Sequence, residues 1–223
     1  MRVTYFGHAS IGIEASDGTR ILLDPYEPDA FGGRLAYSAI PGQWDYICIS
    51  HDHADHNYVG PEFGHPVVIR GDYEDARLRV SARRGKHGDA GGTVDAVVTS
   101  LVIEVDGMRI GHPGDLGPEL SPDWFAFFSG LDLLFLPVGG HFTMGPADAW
   151  SIVTTSRPRV AVPIHYKTPS TGFPLGPVEP FLQLAGRHKD VGASTLEFDA
   201  STLPARPEVW LMRPMLGRLN PWP

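Results

Sequence analysis

The sequence predicts an α/β protein in which two β-sheets lie face to face with helices on the outside. Short apolar runs bounded by glycine, proline or aspartate fill the first half, whereas helical patterns alternate with strand patterns in the second. The 26 glycines and 21 prolines are spread along the chain, as expected for many short elements joined by tight turns. No internal repeat or low-complexity block interrupts the pattern, so the 223 residues read as one domain, 1–223, long enough to bury a sizeable core.

Taken in order, RVTYF, SIGIEA and RILLD read as the first strands, broken at Gly7-His8 and at Asp17-Gly18, a hairpin turn signal. YICIS (46–50) is a short apolar run typical of a buried strand, and PVVIR (66–70) is another. VVTSLVIEV and MRIGH flank Asp106-Gly107, a second hairpin signal, and LDLLFLPV and RVAVPI are apolar enough to be buried on both faces. Helices are expected over 119–129, over 146–156, where proline occupies the first turn, and over PVEPFLQLAGR. The segment 27–44 is long for a connection and reads as a lid or binding loop, with GFPLGPVEP as a second wall.

Composition narrows the function. A formal net charge of −8 disfavours nucleic acid or an anionic membrane as partner, since both require a basic surface. No apolar stretch approaches the roughly 20 residues of a membrane span. The single cysteine, Cys48, excludes an intrachain disulfide and fits a reduced compartment. The N-terminus enters a strand pattern at once, without the shape of a signal peptide, so the expected location is the cytoplasm.

The chemistry concentrates in HDHADH, residues 51–56, directly after YICIS. His51 and His53 lie two apart, so in an extended segment both side chains point the same way. Asp55 and His56 follow where the chain turns and can aim at a neighbouring point. Imidazole and carboxylate together suit zinc, and also manganese or iron, and the offset between the two pairs points to two adjacent metals. A bland polar loop is the competing reading, and it accounts poorly for so many ligands immediately after a buried strand. Four residues do not complete two sites. Further ligands are expected at other strand ends: His87 in KHGDAGG, Asp115 in HPGDLG and His165 in VPIHY.

These motifs, with FGHASI, LLDP and LPVGGHFTMGPADA, resemble the metallo-β-lactamase superfamily, and within it the small metal-dependent hydrolases related to the ascorbate-phosphate lactonases. The resemblance covers nearly the whole chain. It implies a four-layer αββα sandwich with the site at one rim. It also implies that His51, His53 and His87 hold one metal, that Asp55, His56 and His165 hold a second, and that Asp115 bridges them.

Two such metals share and activate a hydroxide, which makes a nucleophile available at neutral pH. Asp55 is expected to hold that hydroxide as well as bind metal. His141 and Tyr166 are candidate proton donors by position, and Lys167 is a candidate contact for a substrate phosphate or carboxylate, with ordinary loop or core roles as the alternatives. His8, Asp24 and His112 are expected to orient the ligands. The leading expectation is hydrolysis of a small-molecule lactone, ester or phosphodiester by a chain that is either monomeric or a homo-oligomer. The competing readings are a nuclease or nucleotide phosphodiesterase, for which the basic group Arg83, Arg84 and Lys86 is the one favourable feature, and a non-catalytic metal-binding protein.

Overall fold

The computed structural model describes residues 1–88 and 96–215. Its first sheet is built from β1 (Arg2–Gly7), β2 (Ser10–Glu14), β3 (Arg20–Leu23), β4 (Tyr46–Cys48) and β5 (Val67–Ile69), with β13 (Thr195–Glu197) added at the edge of β1. β1 to β3 form an antiparallel meander, and β4 and β5 continue it in parallel. The second sheet runs β12-β14-β11-β10-β9-β8-β7-β6, where β6 is Tyr73–Glu74, β7 Arg79–His87, β8 Ala96–Val105, β9 Met108–His112, β10 Leu133–Pro137, β11 Val160–Ile164, β12 Lys189–Asp190 and β14 Glu208–Leu211. β6 to β9 are antiparallel, and β9 to β11 with β14 and β12 are parallel.

Alternation along the strands divides the interior into three layers. Successive side chains of a strand point to opposite faces. Ile21 and Leu23, Leu133 and Phe135, and Val160 and Val162 meet in a core between the two sheets. Their neighbours Leu134, Leu136 and Ala161 face outward, onto α2 (Pro122–Phe127), α3 (Pro146–Ser156) and α4 (Glu179–Ala185), where Trp124, Ile152 and Phe181 cover them. Leu22 and Ile47 on the first sheet face the other way, under Tyr26, Leu35, Tyr37 and a short irregular turn, α1 (Ala30–Gly33). The result is a four-layer αββα sandwich. The central strands are apolar on both faces because both faces are covered.

Most expected elements lie where the pattern put them. Both Asp-Gly hairpins form, and β9 and α3 occupy the expected residues. Two features differ. Residues 79–87 form a nine-residue strand that was not among the expected elements, and His87 stands at its end. After α4 the chain adds β12, β13 and β14, and β14 pairs in parallel with β11. Among the described residues, no helix is long and apolar enough to cross a membrane.

Candidate metal centre

The chemical residues gather at one rim because each follows the end of a strand. His8 follows β1, Asp24 follows β3, HDHADH follows β4, Asp115 follows β9 and His165 follows β11, while His87 closes β7. The backbone is left-handed at several of these corners, with φ of 53° at His8, 41° at Asp24 and 51° at His165. Non-glycine residues enter this region at a cost, and such outliers cluster at functional sites. Close approach fixes the turn before Asp115 as well. Gly114 has φ of 58°, and a side chain there would lie 2.6 Å from the Ser50 side chain.

Three groups of candidate ligand atoms result, the atoms of each within 4.8 Å of one another: Asp24, His51 and His56 form the first, His51, His53 and His87 the second, and His8, Asp55, His56 and His165 the third. Asp115 lies between the last two. Its Oδ2 is 3.4 Å from His87 Nε2 on one side, and 3.4 and 3.5 Å from the Nε2 atoms of His56 and His165 on the other.

Asp24 organises this cluster from behind. It accepts hydrogen bonds from the Ser50 backbone N–H (2.7 Å), the Ser50 hydroxyl (2.6 Å) and His56 Nδ1 (3.0 Å). With its proton given to Asp24, the Ser50 hydroxyl accepts one from His51 Nδ1 at 2.9 Å. One buried carboxylate thereby fixes which ring nitrogen of His51 and His56 faces inward; His51 Nε2 then lies 2.9 Å from His53 Nδ1 and His56 Nε2 lies 3.4 Å from Asp115 Oδ2. His8 Nε2 donates to Asp55 Oδ2 at 2.9 Å. His112 accepts from the Gly114 N–H through Nδ1 and donates to the Ala9 carbonyl through Nε2, pinning the turn that carries Asp115.

Electrostatics prepare the cluster for cations. Burial pushes His51 and His165 down to about 3, and lowers His87 as well. Burial alone would raise Asp115, but the imidazoles of His165 and His56 outweigh it and hold the carboxyl well below its ordinary range. Burial also opposes charge on His56, yet Asp115 and Asp55 overcome it and raise the imidazole. Burial thus favours the neutral form of His51, His87 and His165, while their surroundings favour the ionised form of Asp115 and the protonated form of His56, whose proton a divalent cation would displace. Several buried ligand atoms have no hydrogen-bond partner: His56 Nε2, both ring nitrogens of His87, Asp115 Oδ1 and His165 Nδ1. Unsatisfied buried polar atoms are costly, and so many in one place fit a metal-binding centre.

The family profile described as a beta-lactamase superfamily domain matches residues 2–165. The chain belongs to the metallo-β-lactamase superfamily, among its metal-dependent hydrolases. A UPF0173 metal-dependent hydrolase of Pelotomaculum thermopropionicum is 31% identical over 199 residues, covering 75% of this chain and 85% of that protein. One from Thermus thermophilus is 30% identical over 200 residues, with 75% and 84% covered. A crystal structure from Thermotoga maritima, assigned as a Zn-dependent hydrolase of the metallo-beta-lactamase superfamily, superposes with a TM-score of 0.75 at 29% identity, covering 95% and 97% of the two chains.

The remaining expectations of this superfamily site divide. A cavity of about 200 Å³ opens over the cluster, lined by His53, Asp55, His87, Asp115, His165 and by Phe31, Phe142 and Phe173. Phe31 and Phe173 come from the two segments expected to wall the site, 27–44 and GFPLGPVEP, whereas Phe142 was not anticipated. Its place beside His141 in GGHFTM was the available signal. His141 is exposed at the rim, its ring packed edge-on against Phe142 at 4.4 Å.

Tyr166 does not reach the cavity. Its side chain is buried in the apolar layer under the helices, with Val178 and Phe181, because it alternates with His165 across the end of β11. Lys167 donates from Nζ to the carbonyls of Thr171 (2.6 Å) and Phe173 (3.0 Å), so its charge ties down a loop. Arg83 and Lys86 turn to the outer helix layer and pair with Asp123 (3.1 Å) and Glu119 (2.9 Å).

Proposed function

We propose that the protein hydrolyses a small-molecule lactone, ester or phosphodiester with two divalent cations, zinc foremost and manganese or iron as alternatives. His51, His53 and His87 would hold one cation and Asp55, His56 and His165 the other, with Asp115 between them. The observation that carries this reading is the convergence of partnerless buried ligand atoms on the two faces of Asp115. Divalent cations in such a site act as Lewis acids and make water acidic enough to attack at neutral pH.

The chain's own residues supply the rest. Asp24, through Ser50 and directly, keeps His51 and His56 in the ligating tautomer. His8 holds the Asp55 carboxylate against the cavity, where it can orient the attacking water. His141, exposed at the rim, is the remaining candidate for returning a proton to the leaving oxygen, since Tyr166 faces away. The pairing of Arg83 and Lys86 with acidic neighbours favours a small molecule over a nucleic-acid strand.

The test combines elemental analysis of gently purified protein with turnover of a panel of lactones, esters, phosphodiesters and short RNAs. More than one metal equivalent per chain is expected, together with chelator-sensitive turnover of a small molecule. In Asp115→Ala, turnover should fall far more than thermal stability does. Near-native turnover of that variant at saturating metal, or cleavage of RNA alone, would overturn the reading.

A further inference from the structure

The walls of the cavity narrow the substrate class, on the premise that the site hydrolyses a small molecule. Above the ligand cluster, the cavity's described lining is three phenylalanines and nothing else. Phe173 is the centre of the group. Its ring lies 5.3 Å from Phe31 edge-on, 6.2 Å from Phe142 edge-on, and 5.9 Å from His8. Phe173 is 8% exposed, whereas Phe31 is 49% exposed at the mouth.

No lysine, arginine, serine, threonine or amide side chain lines this cavity among the described residues. The nearest ammonium in sequence, Lys167, is committed to the carbonyls of Thr171 and Phe173, where it shapes the loop that presents the Phe173 ring. A phosphoryl or carboxylate group held within this lining, away from the ligand cluster, would therefore lie against aromatic rings, with no charged or donor side chain among the described lining residues to replace its water. An apolar group would instead cover the exposed Phe31 ring and stack or pack edge-on within the collar.

We propose that Phe31, Phe142 and Phe173 form an aromatic collar that selects uncharged carboxylic esters or lactones bearing a ring-sized apolar substituent, and that they discriminate against phosphoesters. Water adds across the acyl–oxygen bond, which breaks to give a carboxylic acid and an alcohol. The collar holds the substituent and takes no part in the proton transfers.

The experiment compares the metal-loaded protein on benzyl acetate, methyl acetate, benzyl phosphate and methyl benzyl phosphate, for the wild type and for Phe31→Ala and Phe173→Ala. Phe31 is half exposed, so its substitution leaves the packed interior intact. The expected result is a kcat/KM for benzyl acetate at least about 10-fold above that for methyl acetate, a ratio that both variants lower, chiefly through KM. Turnover of either phosphoester above that of benzyl acetate, or a ratio that Phe31→Ala and Phe173→Ala leave untouched, overturns the proposal. Saturation-transfer NMR with 2-phenylacetamide and with phenyl phosphate, run on metal-free protein, reads the collar without catalysis. Saturation of the phenylacetamide ring that weakens in Phe31→Ala supports the collar, even if every ester in the panel resists hydrolysis and the hydrolase reading fails. Stronger saturation of phenyl phosphate, or none for phenylacetamide, counts against the collar whether or not esters are cleaved.

Discussion

Asp24 carries more of the centre than its position in the sequence implies. It is fully buried and does not itself line the cavity. Burial alone would raise its pKa, but His112 and His56 outweigh this and lower it, so the group stays ionised. Its oxygens accept hydrogen bonds from Ser50 and His56, so it anchors the candidate ligands from behind, although an oxygen of its own also lies within 4.8 Å of ligand nitrogens of His51 and His56. Replacing the carboxylate with an amide puts N–H donors against donors and frees both histidines to change tautomer. Asp24→Asn should weaken metal binding by about 10–100-fold, measured by competition with a chromophoric chelator, while the variant keeps its far-UV circular dichroism. Unchanged affinity would reduce Asp24 to a packing residue.

At the scale of elements, the strand β7 delivers His87 only because β6 and its turn launch it in register with β8, where His87 lies opposite Ala96. Asp75 builds that turn. Its carboxylate accepts hydrogen bonds from the hydroxyls of Tyr46 (2.6 Å) and Tyr73 (3.0 Å) and from the backbone N–H of Arg77 and Leu78. The bond from Tyr46, then the N–H of Arg77, hold the carboxyl below its ordinary range. A carboxyl whose folded pKa is depressed contributes stability that is present above its unfolded value of about 3.9 and lost as pH falls through the folded value. Asp75→Asn should therefore lower Tm at pH 7, and the gap between variant and wild type should close as the pH is taken below that unfolded value. Thermal melts at pH 7, 5 and 3 check this, and a gap that widens toward acid would contradict it.

For the whole molecule, the rim is where the two sheets meet. The candidate ligands come from both: Asp55 and His56 follow a strand of the first sheet, while His87 closes and Asp115 and His165 follow strands of the second. A cation bound by both groups ties the sheets together and binds the native state alone. Bound cations should stabilise by mass action, by about 2.7 kcal/mol at a hundredfold excess over Kd. Removing metal with a chelator should lower Tm and make it depend on the zinc added back, as read by calorimetry. A melt indifferent to chelator would mean that the centre is empty as purified or contributes nothing across the interface.

The chain's local chemistry was legible because it is local. A six-residue string of potential ligands after a buried strand, an Asp-Gly pair between alternating runs, and proline at the first turn of α3 each act over a few residues, and no distant partner alters them. Strand ends also drew attention to Asp115 and His165, which the structure brings within 3.5 Å of each other, since turns after strands are where side chains can leave the sheet. What the sequence did not decide is which way such a side chain faces. Tyr166 and His165 are neighbours, but pairing of β11 with β10 and β14 turns one into the helix layer and the other into the rim. Residues 79–87, rich in arginine and lysine, form a strand because β8 offers nine residues of hydrogen-bonding edge, a long-range pairing that outweighs the weak apolar alternation. The aromatic collar has the same origin: Phe31, Phe142 and Phe173 lie far apart in sequence, and only the packing of three loops over one rim brings their rings within contact.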